Sequence, residues 1–199
     1  MKGPAAAAVL RAVDGTTIAL PVERWRAEPA SEEMDVLARA VAPVLDIGCG
    51  PGRHVLALAR LGVVAMGVDA SPAAVDLARS TGAPVLRRSV FARVPGAGRW
   101  RTALLLDGNI GIGGDPVTLL RRLVSLLAPG GLALVELEPP GAVTRVLRTR
   151  LERGVAAGPW FRWSQVGVDD IDDLATLAGF VATSTWEAGG RWFAQLQRR

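Results

Sequence analysis

The stretch that decides the fold is VLDIGCGPG at residues 44–52. Its first half is a short apolar run with β-branched residues, which is typical of a buried strand. Its second half carries glycine at every other position, which permits a tight turn. The next ten residues, RHVLALARLG, predict a helix that ends at Gly62. Backbone amides of such a loop, at the start of a helix, can meet a carboxylate or a phosphate.

Short apolar runs and amphipathic stretches alternate on both sides of this loop. Buried strands that alternate with helices favour a parallel sheet that is covered on both faces. Near the C-terminus, the segments VATSTWE and RWFAQLQ predict an antiparallel pair of strands joined at Gly189-Gly190. The other strands are predicted over 44–48, 63–69, 84–90, 102–108 and 132–139, and the helices begin at Ser31, at residue 53, at Ser71-Pro72, at Asp115 and within DDIDDLATLAGF.

Two segments of the chain are less well determined by their sequence. Residues 1–24 predict a hairpin around Asp14-Gly15, a common turn pair. Residues 141–163 fit the helical and the strand period equally well, so a helix and a strand extension both stay open. The length of 199 residues favours one domain. We expect that domain over residues 31–199, with residues 1–30 as an N-terminal extension that forms a hairpin and a cap.

Rare residues exclude several kinds of chemistry. The chain has one lysine (Lys2), one histidine (His54), one cysteine (Cys49) and no tyrosine. A single lysine beside the N-terminus excludes a Walker phosphate loop and argues against a Schiff-base lysine. One cysteine and one histidine cannot build a zinc site from the usual ligands, so we expect no metal. The absence of tyrosine excludes hydride transfer by a Tyr–Lys pair.

The charge and hydropathy of the chain say less about its partners. All but one of the 23 basic side chains are arginine, so a formal net charge of only +4 produces a very high isoelectric point. Apolar runs stay shorter than the ~18 residues that cross a bilayer. Arg11 and Asp14 interrupt the N-terminal apolar stretch, which argues against a signal peptide. We expect a cytoplasmic protein with no membrane contact, and the oligomeric state stays open.

The glycine loop is part of a longer pattern. Asp46 and the three glycines follow the spacing D-x-G-x-G-x-G, and Arg53 stands where a dinucleotide fingerprint has its third glycine. Twenty-three residues after Asp46, the second strand ends in Asp69, where an acid can hold a ribose diol. This combination resembles motif I and the following acid of the class I S-adenosylmethionine-dependent methyltransferases. The resemblance extends from about residue 40 to the C-terminus and includes the antiparallel edge pair.

This resemblance implies a fold and a cofactor. The fold is α/β, a single doubly wound Rossmann-like domain with a mainly parallel seven-stranded sheet and an antiparallel edge hairpin. S-adenosylmethionine would lie with its methionine moiety against the loop backbone, its ribose hydroxyls on Asp69 and its adenine beside Phe91. The acid that many family members carry near Ser89 is missing here. The implied cofactor-binding residues are Asp46, Gly48, Cys49, Gly50, Asp69, Ala70, Ser89, Val90, Phe91 and Asp107.

The methyl acceptor is expected at the carboxyl ends of the fourth and fifth strands, because ligands of open α/β sheets bind at those ends. The fourth strand ends in LLLDGNIGIGGDP, where Asp107 and Asn109 are the candidate catalytic residues, with plain turn chemistry as the alternative. Asp115 is assigned to capping the next helix. Glu136 and Glu138 fall on the same side of the fifth strand, and one of them is a candidate to face the acceptor.

The leading interpretation is methyl transfer to a small-molecule acceptor, because nothing added to the core resembles a domain that binds macromolecules. An activated donor needs positioning and exclusion of water more than a protein nucleophile. The alternatives are a non-catalytic cofactor-binding partner protein, a dinucleotide oxidoreductase and a nucleic-acid methyltransferase. Nucleic acid is disfavoured, because DGNI stands where such enzymes carry Asn/Asp-Pro-Pro-aromatic. The cluster Arg145, Arg148, Arg150 and Arg153 is its best support.

Overall fold

Twelve strands and six α-helices form the part of the chain, residues 7–199, that a computed structural model describes. The first six residues of the expected N-terminal extension lie outside this range. The strands are β1 (Ala8–Ala12), β2 (Thr17–Ala19), β3 (Val44–Ile47), β4 (Ala65–Asp69), β5 (Val85–Arg87), β6 (Trp100–Leu105), β7 (Leu127–Leu137), β8 (Arg145–Arg153), β9 (Ala156–Ala157), β10 (Phe161–Gln165), β11 (Phe180–Ala188) and β12 (Arg191–Arg198).

Two of the six helices of residues 7–199 begin at a residue whose side chain caps them. Ser71 Oγ accepts a hydrogen bond from the Ala74 amide, and Asp115 Oδ1 accepts one from the Thr118 amide, which confirms both predicted N-caps. Proline occupies the first position of each of these two helices. The helices are α1 (Val22–Arg26), α2 (Ser31–Ala38), α3 (Arg53–Arg60), α4 (Pro72–Ser80), α5 (Pro116–Leu126) and α6 (Ile171–Ala178). None of the helices in the described range is long and apolar enough to cross a membrane.

A seven-stranded mixed sheet is the centre of the fold. Its strand order is β5-β4-β3-β6-β7-β12-β11, and the five strands from β3 to β7 are mutually parallel. β12 runs antiparallel to both β7 and β11, so the expected C-terminal pair is confirmed. One apolar cluster packs α5 and α6 on the sheet, and two others pack α2, α3 and α4. The carboxyl ends of β3, β4, β6 and β7 meet at one edge, where the site lies.

A second sheet was not anticipated, and the expectation of a single sheet was therefore incomplete. β1 and β2 form the hairpin predicted around Asp14-Gly15, and this hairpin joins β8 and β10 in the antiparallel order β10-β8-β1-β2, with β9 beside β8. Residues 141–163 are thus mainly strand. Leu147 and Thr149 are buried and alternate with more exposed residues, which is the two-residue period of a strand. The strand that pairs with this segment is β1, about 140 residues away along the chain.

The third parallel strand is shorter than its sequence indicates. β5 ends at Arg87, not at residue 90, so Ser89, Val90 and Phe91 lie in the loop that follows. The Arg88 amide still donates to the Asp69 carbonyl. The Arg122 guanidinium of α5 donates to the carbonyls of Val90 and Ala92 at 2.8 and 2.6 Å, and these bonds tie the loop to α5.

Candidate functional site

The glycine loop after β3 is built on left-handed backbone. Gly48, Gly50 and Gly52 have φ of +69°, +53° and +83°, conformations that side chains rarely adopt. A Cβ added to Gly50 would meet nothing within 4 Å, so this position opens onto free space. A Cβ on Gly48 would instead approach Asn109 Nδ2 to 2.7 Å. Asn109 Nδ2 donates to the carbonyls of Ile47 and Gly48 at 2.9 and 3.0 Å, so this side chain holds the loop.

Asp69 lies beside this loop at the end of β4, as the sequence predicted. Its Oδ2 accepts a hydrogen bond from the Gly50 amide at 2.8 Å, and its Oδ1 accepts one from the Ser71 amide at 2.7 Å. Burial raises the pKa of Asp69 above its ordinary value, although these two amides oppose the rise. Each carboxylate oxygen keeps a second lone pair for a further donor. Ala70, the next residue, is exposed.

Asp46, in β3, and Cys49, in the glycine loop, are both buried. Asp46 is 1% exposed, and its Oδ2 has no hydrogen-bond partner in the described range. Burial is the main cause that raises the pKa of the Cys49 thiol, which makes it a packed group and not a nucleophile. The Cys49 amide donates to the Val68 carbonyl at 3.3 Å.

The loop after β5 brings an aromatic ring to the same edge. Phe91 is 43% exposed, and its amide donates to Ser89 Oγ at 3.3 Å. Its ring lies 3.0 Å from the place that a Cβ on Gly113 would occupy, so it faces the glycine-rich stretch after β6. Val90 is buried. Of the two apolar residues, Val90 and Phe91, it is therefore Phe91 whose side chain is exposed.

Asp107 lies two residues after the end of β6 and has a strained backbone conformation. Its φ of +55° is a left-handed value that is uncommon outside glycine and that clusters at functional sites. Its carboxylate binds Arg53 at 2.7 Å, Arg24 at 2.8 Å and Arg191 at 3.5 Å. Its backbone amide donates to Glu136 Oε2. Charge-assisted hydrogen bonds from four elements thus fix this residue.

A buried charge network surrounds Asp107. Glu33 is fully buried, and its two oxygens accept from Arg53 at 2.7 and 2.6 Å. Arg191 Nη1 donates to Glu33 Oε1 at 2.7 Å, and the Ala30 amide donates to Oε2 at 2.9 Å. Burial alone would raise the pKa of Glu33, but His54, Arg191 and these other donors hold it well below its ordinary value. The network consists of Arg24, Glu33, Asp46, Arg53, His54, Asp107, Glu136 and Arg191.

His54 is the titratable centre of this network. It is 3% exposed and lies in the first turn of α3, on the side of the helix that faces the protein interior. Its Nδ1 lies 3.7 Å from Asp46 and its Nε2 lies 3.7 Å from Glu33. Burial alone would lower the pKa of His54, but the two carboxylates raise it to about 9. Glu33, His54 and Asp107 also lie within metal-binding distance of one another, but Arg53 already pairs with both carboxylates.

Sequence reasoning missed most of this network, because its contacts join distant parts of the chain. Arg191 and Glu33 are 158 positions apart. One signal was present: Glu33 lies three and four residues before the buried Val36 and Leu37, and therefore on the apolar stripe of α2. An acid on such a stripe needs a buried partner.

A cavity of about 380 Å³ lies between the second sheet and the carboxyl ends of β6 and β7. Apolar and polar groups share its walls, and its volume is in the range of small-molecule sites. Its lining includes Leu10, Ile18, Trp163 and Gln165 from the second sheet, Arg24 and Trp25 from α1, and Asp107, Gly108, Glu136 and Glu138 from the central sheet.

Comparison with known proteins agrees with this geometry. Residues 44–131 match the family described as a methyltransferase domain. This match agrees with the resemblance to the class I S-adenosylmethionine-dependent methyltransferases that the glycine loop and Asp69 carry. A trans-aconitate 2-methyltransferase of Methylobacterium radiotolerans is 37% identical over 150 residues, 69% of this chain and 54% of the relative. A ubiquinone biosynthesis O-methyltransferase of Caulobacter is 31% identical over 136 residues, 64% of this chain and 51% of the relative. The chain thus spans about half the length of these methyltransferases.

Solved structures show the same fold. A methyltransferase from Bacteroides fragilis, crystallised with S-adenosylhomocysteine, has a TM-score of 0.79 at 23% identity, covering 98% of this chain and 89% of its own. An amino pentose methyltransferase from Micromonospora echinaspora, solved with S-adenosylmethionine bound, has a TM-score of 0.66 at 18% identity, covering 89% of this chain and 95% of its own. The α/β methyltransferase fold is therefore established for this chain.

Proposed function

We propose that this protein transfers a methyl group from S-adenosylmethionine to a small-molecule acceptor. The observation that carries the proposal is the link between Asp69 and the Gly50 amide. It joins an acid to a left-handed glycine loop at the carboxyl ends of two adjacent parallel strands. The methyltransferase family of residues 44–131 supports the same reaction. We assign the activity to residues 31–199, with residues 1–30 contributing a wall of the acceptor cavity.

The residues present fit the cofactor. The free space at Gly50 leaves room for the methionine moiety against the backbone of Gly48, Cys49 and Gly50. We also assign Asp46 to this group of residues, because it is buried directly before the loop, with Oδ2 3.7 Å from His54 Nδ1. The remaining lone pairs of Asp69 would accept from the ribose hydroxyls, with Ala70 alongside. The adenine would lie beside Ser89, Val90 and Phe91, and Asp107 would border the methionine end.

When bound, S-adenosylmethionine supplies a methyl group that its sulfonium already activates. The protein therefore has to bind and orient the cofactor and the acceptor, and it has to exclude water. Much of the rate enhancement can come from these two effects alone. The arginines around Asp107 hold the acceptor side rigid. We propose Asp107 and Asn109 as the residues at the place of methyl transfer. Asn109 also holds the Gly48 carbonyl, so it joins both parts of the site.

A small acceptor is supported by the cavity volume of about 380 Å³ and by the names of the relatives, which act on trans-aconitate and in ubiquinone biosynthesis. For a nucleic-acid acceptor, the supporting observation is Trp160, which lies under the guanidinium groups of Arg148 and Arg150. These arginines alternate with the buried Leu147 on β8, so they lie on the face of the second sheet opposite Leu147. The lining of the cavity does not include them.

The test is a transfer assay with S-adenosylmethionine labelled in its methyl group. The purified protein is incubated with panels of amines, alcohols, phenols, carboxylic acids, DNA and RNA, and both S-adenosylhomocysteine and labelled product are measured. We expect labelled product from a small molecule. Binding of S-adenosylmethionine without transfer to any panel would favour the non-catalytic interpretation. Preference for NAD over S-adenosylmethionine in calorimetry would overturn the cofactor assignment.

A further inference from the structure

Glu138 has a fixed place on the wall of the acceptor cavity. It directly follows β7, and its amide donates to the Val166 carbonyl at 2.8 Å. Its own carbonyl accepts from the Val168 amide at 3.0 Å, and Glu138 and Gly167 form a parallel bridge. The two backbone bonds hold this residue between the central sheet and residues 166–168, the segment that follows β10.

Glu138 differs from Glu136, its neighbour on the same side of the strand. Glu136 accepts from the Asp107 amide and from the Arg191 guanidinium, so it belongs to the buried charge network. Glu138 accepts one side-chain hydrogen bond, from Gln165 Nε2 at 3.1 Å. No arginine or histidine of the described range forms an ion pair with it within 4.0 Å. The structure therefore resolves which of the two acids stays available to a ligand.

The orientation of the Gln165 side chain determines which carboxylate oxygen of Glu138 is free to bind a ligand. Arg145 donates from Nε and Nη2 to Gln165 Oε1, at 2.9 and 2.8 Å. Because the oxygen of the amide is turned to Arg145, its nitrogen must face Glu138 Oε1. The other carboxylate oxygen of Glu138, Oε2, remains an acceptor without a described partner. Glu138 is half-buried, and a carboxylate oxygen on the cavity wall favours a ligand that donates a hydrogen bond.

The remaining walls indicate what else the ligand contains. Arg24 is the cation of the cavity lining, and its Nη2 is already bound to Asp107 at 2.8 Å. The lining also carries three carboxylates, those of Asp107, Glu136 and Glu138, against this one guanidinium, so it disfavours an anionic ligand. The apolar part of the lining comprises Leu10, Ile18, Ile110, Leu137, Trp163 and Val166.

We propose that the acceptor of this enzyme is an uncharged or cationic small molecule with an apolar body and an N–H or O–H group, which donates to Glu138 Oε2. This inference rests on the proposed function, since it names the acceptor class of the same site. This acceptor class excludes polycarboxylates. One of them, trans-aconitate, is the acceptor in the name of one relative. Glu138 is then a specificity residue, and Gln165 with Arg145 positions it.

The test uses three fragments of similar shape: phenol, which donates a hydrogen bond; anisole, which does not; and benzoate, which is an anion. Binding to the full chain is followed by NMR through the indole N–H signals of Trp25 and Trp163, which line the cavity, with Trp100 and Trp186 as references outside it. The titrations are repeated with trans-aconitate, with Glu138→Gln and with Glu23→Gln. Glu23 is a matched control, because its side chain is 90% exposed on α1.

We expect phenol to bind wild type and Glu23→Gln at least about tenfold more tightly than anisole or benzoate, since a hydrogen bond to a charged group decides the preference. In Glu138→Gln the preference for phenol over anisole should fall to within about twofold, and benzoate should bind better. Tighter binding of benzoate or trans-aconitate to wild type, or an unchanged preference in Glu138→Gln, would overturn the inference. Because the fragments are titrated without cofactor, calorimetry with S-adenosylmethionine on the same samples tests the proposed function separately.

Discussion

Arg53 and Asp107 form a 2.7 Å ion pair that ties the start of α3 to the end of β6. Arg53 is 5% exposed at its side chain and also binds Glu33, so one guanidinium joins the helix after the glycine loop, the helix α2 and the acceptor side. The helix that follows the glycine loop and the wall of the cavity are therefore joined through one buried side chain. A change in this pair is expected to affect both stability and cofactor affinity.

Replacing Arg53 with methionine should destabilise the protein strongly. The substitution leaves Glu33 and Asp107 with fewer partners in a buried place, and such losses cost about 3–5 kcal/mol. Urea denaturation at neutral pH measures the free energy of unfolding. Arg60→Met is the matched control on the same helix, because Arg60 pairs with Glu28 in solvent and should change little. Equal effects of the two substitutions would show that burial of the network contributes no stability.

His54 should make stability depend on pH. Its pKa is raised from 6.5 to about 9 in the folded protein, so its charge stabilises the fold fully below about pH 6.5. This contribution is lost as the pH rises through about 9. We expect the free energy of unfolding to fall between pH 6.5 and 9, and His54→Gln to flatten that fall.

The same residue offers a direct readout, because it is the only histidine in the sequence. Its ring C–H signals can be assigned in the NMR spectrum without ambiguity. A titration should give a midpoint near pH 9 for wild type. A midpoint at or below 6.5 would contradict the position of His54 between two ionised carboxylates.

Replacing Gly50 with valine should abolish binding of S-adenosylmethionine while the fold persists. The side chain would enter the free space in front of the loop, where the methionine moiety is expected. Valine also strains a backbone with φ of +53°, so the control must carry the same strain. Gly62→Val provides it, with φ of +73° and open space around its Cβ. Calorimetry that finds equal affinity in both variants would remove Gly50 from the cofactor site.

The local part of this fold and site could be predicted from sequence. A strand, a glycine loop and a helix follow from residues 44–62, because each depends on neighbours within a few positions. The caps at Ser71 and Asp115 and the acid at Asp69 are local in the same sense, and all three lie where they were predicted.

The rest depends on contacts that the sequence does not display. Residues 145–153 become a strand because the N-terminal hairpin pairs with them, and Arg191 becomes part of the site because β12 brings it to Glu33. Glu136 and Glu138 are equivalent by alternation along the strand. The cation that distinguishes them, Arg191, arrives from 55 positions away. Long-range pairing therefore decides the lining of the cavity, whereas short-range geometry decides the glycine loop and Asp69.

The most direct test of the cofactor site is a calorimetric cycle with wild type and Asp69→Ala, each titrated with S-adenosylmethionine and with its 2′-deoxy analogue. Asp69 also holds the amides of Gly50 and Ser71, so a loss of affinity in the variant alone does not identify the ribose contact. The cycle isolates that contact. We predict that wild type binds S-adenosylmethionine at least about tenfold more tightly than the analogue, and that Asp69→Ala loses most of this discrimination. Equal discrimination by both proteins, or no binding of S-adenosylmethionine to wild type, would contradict the account.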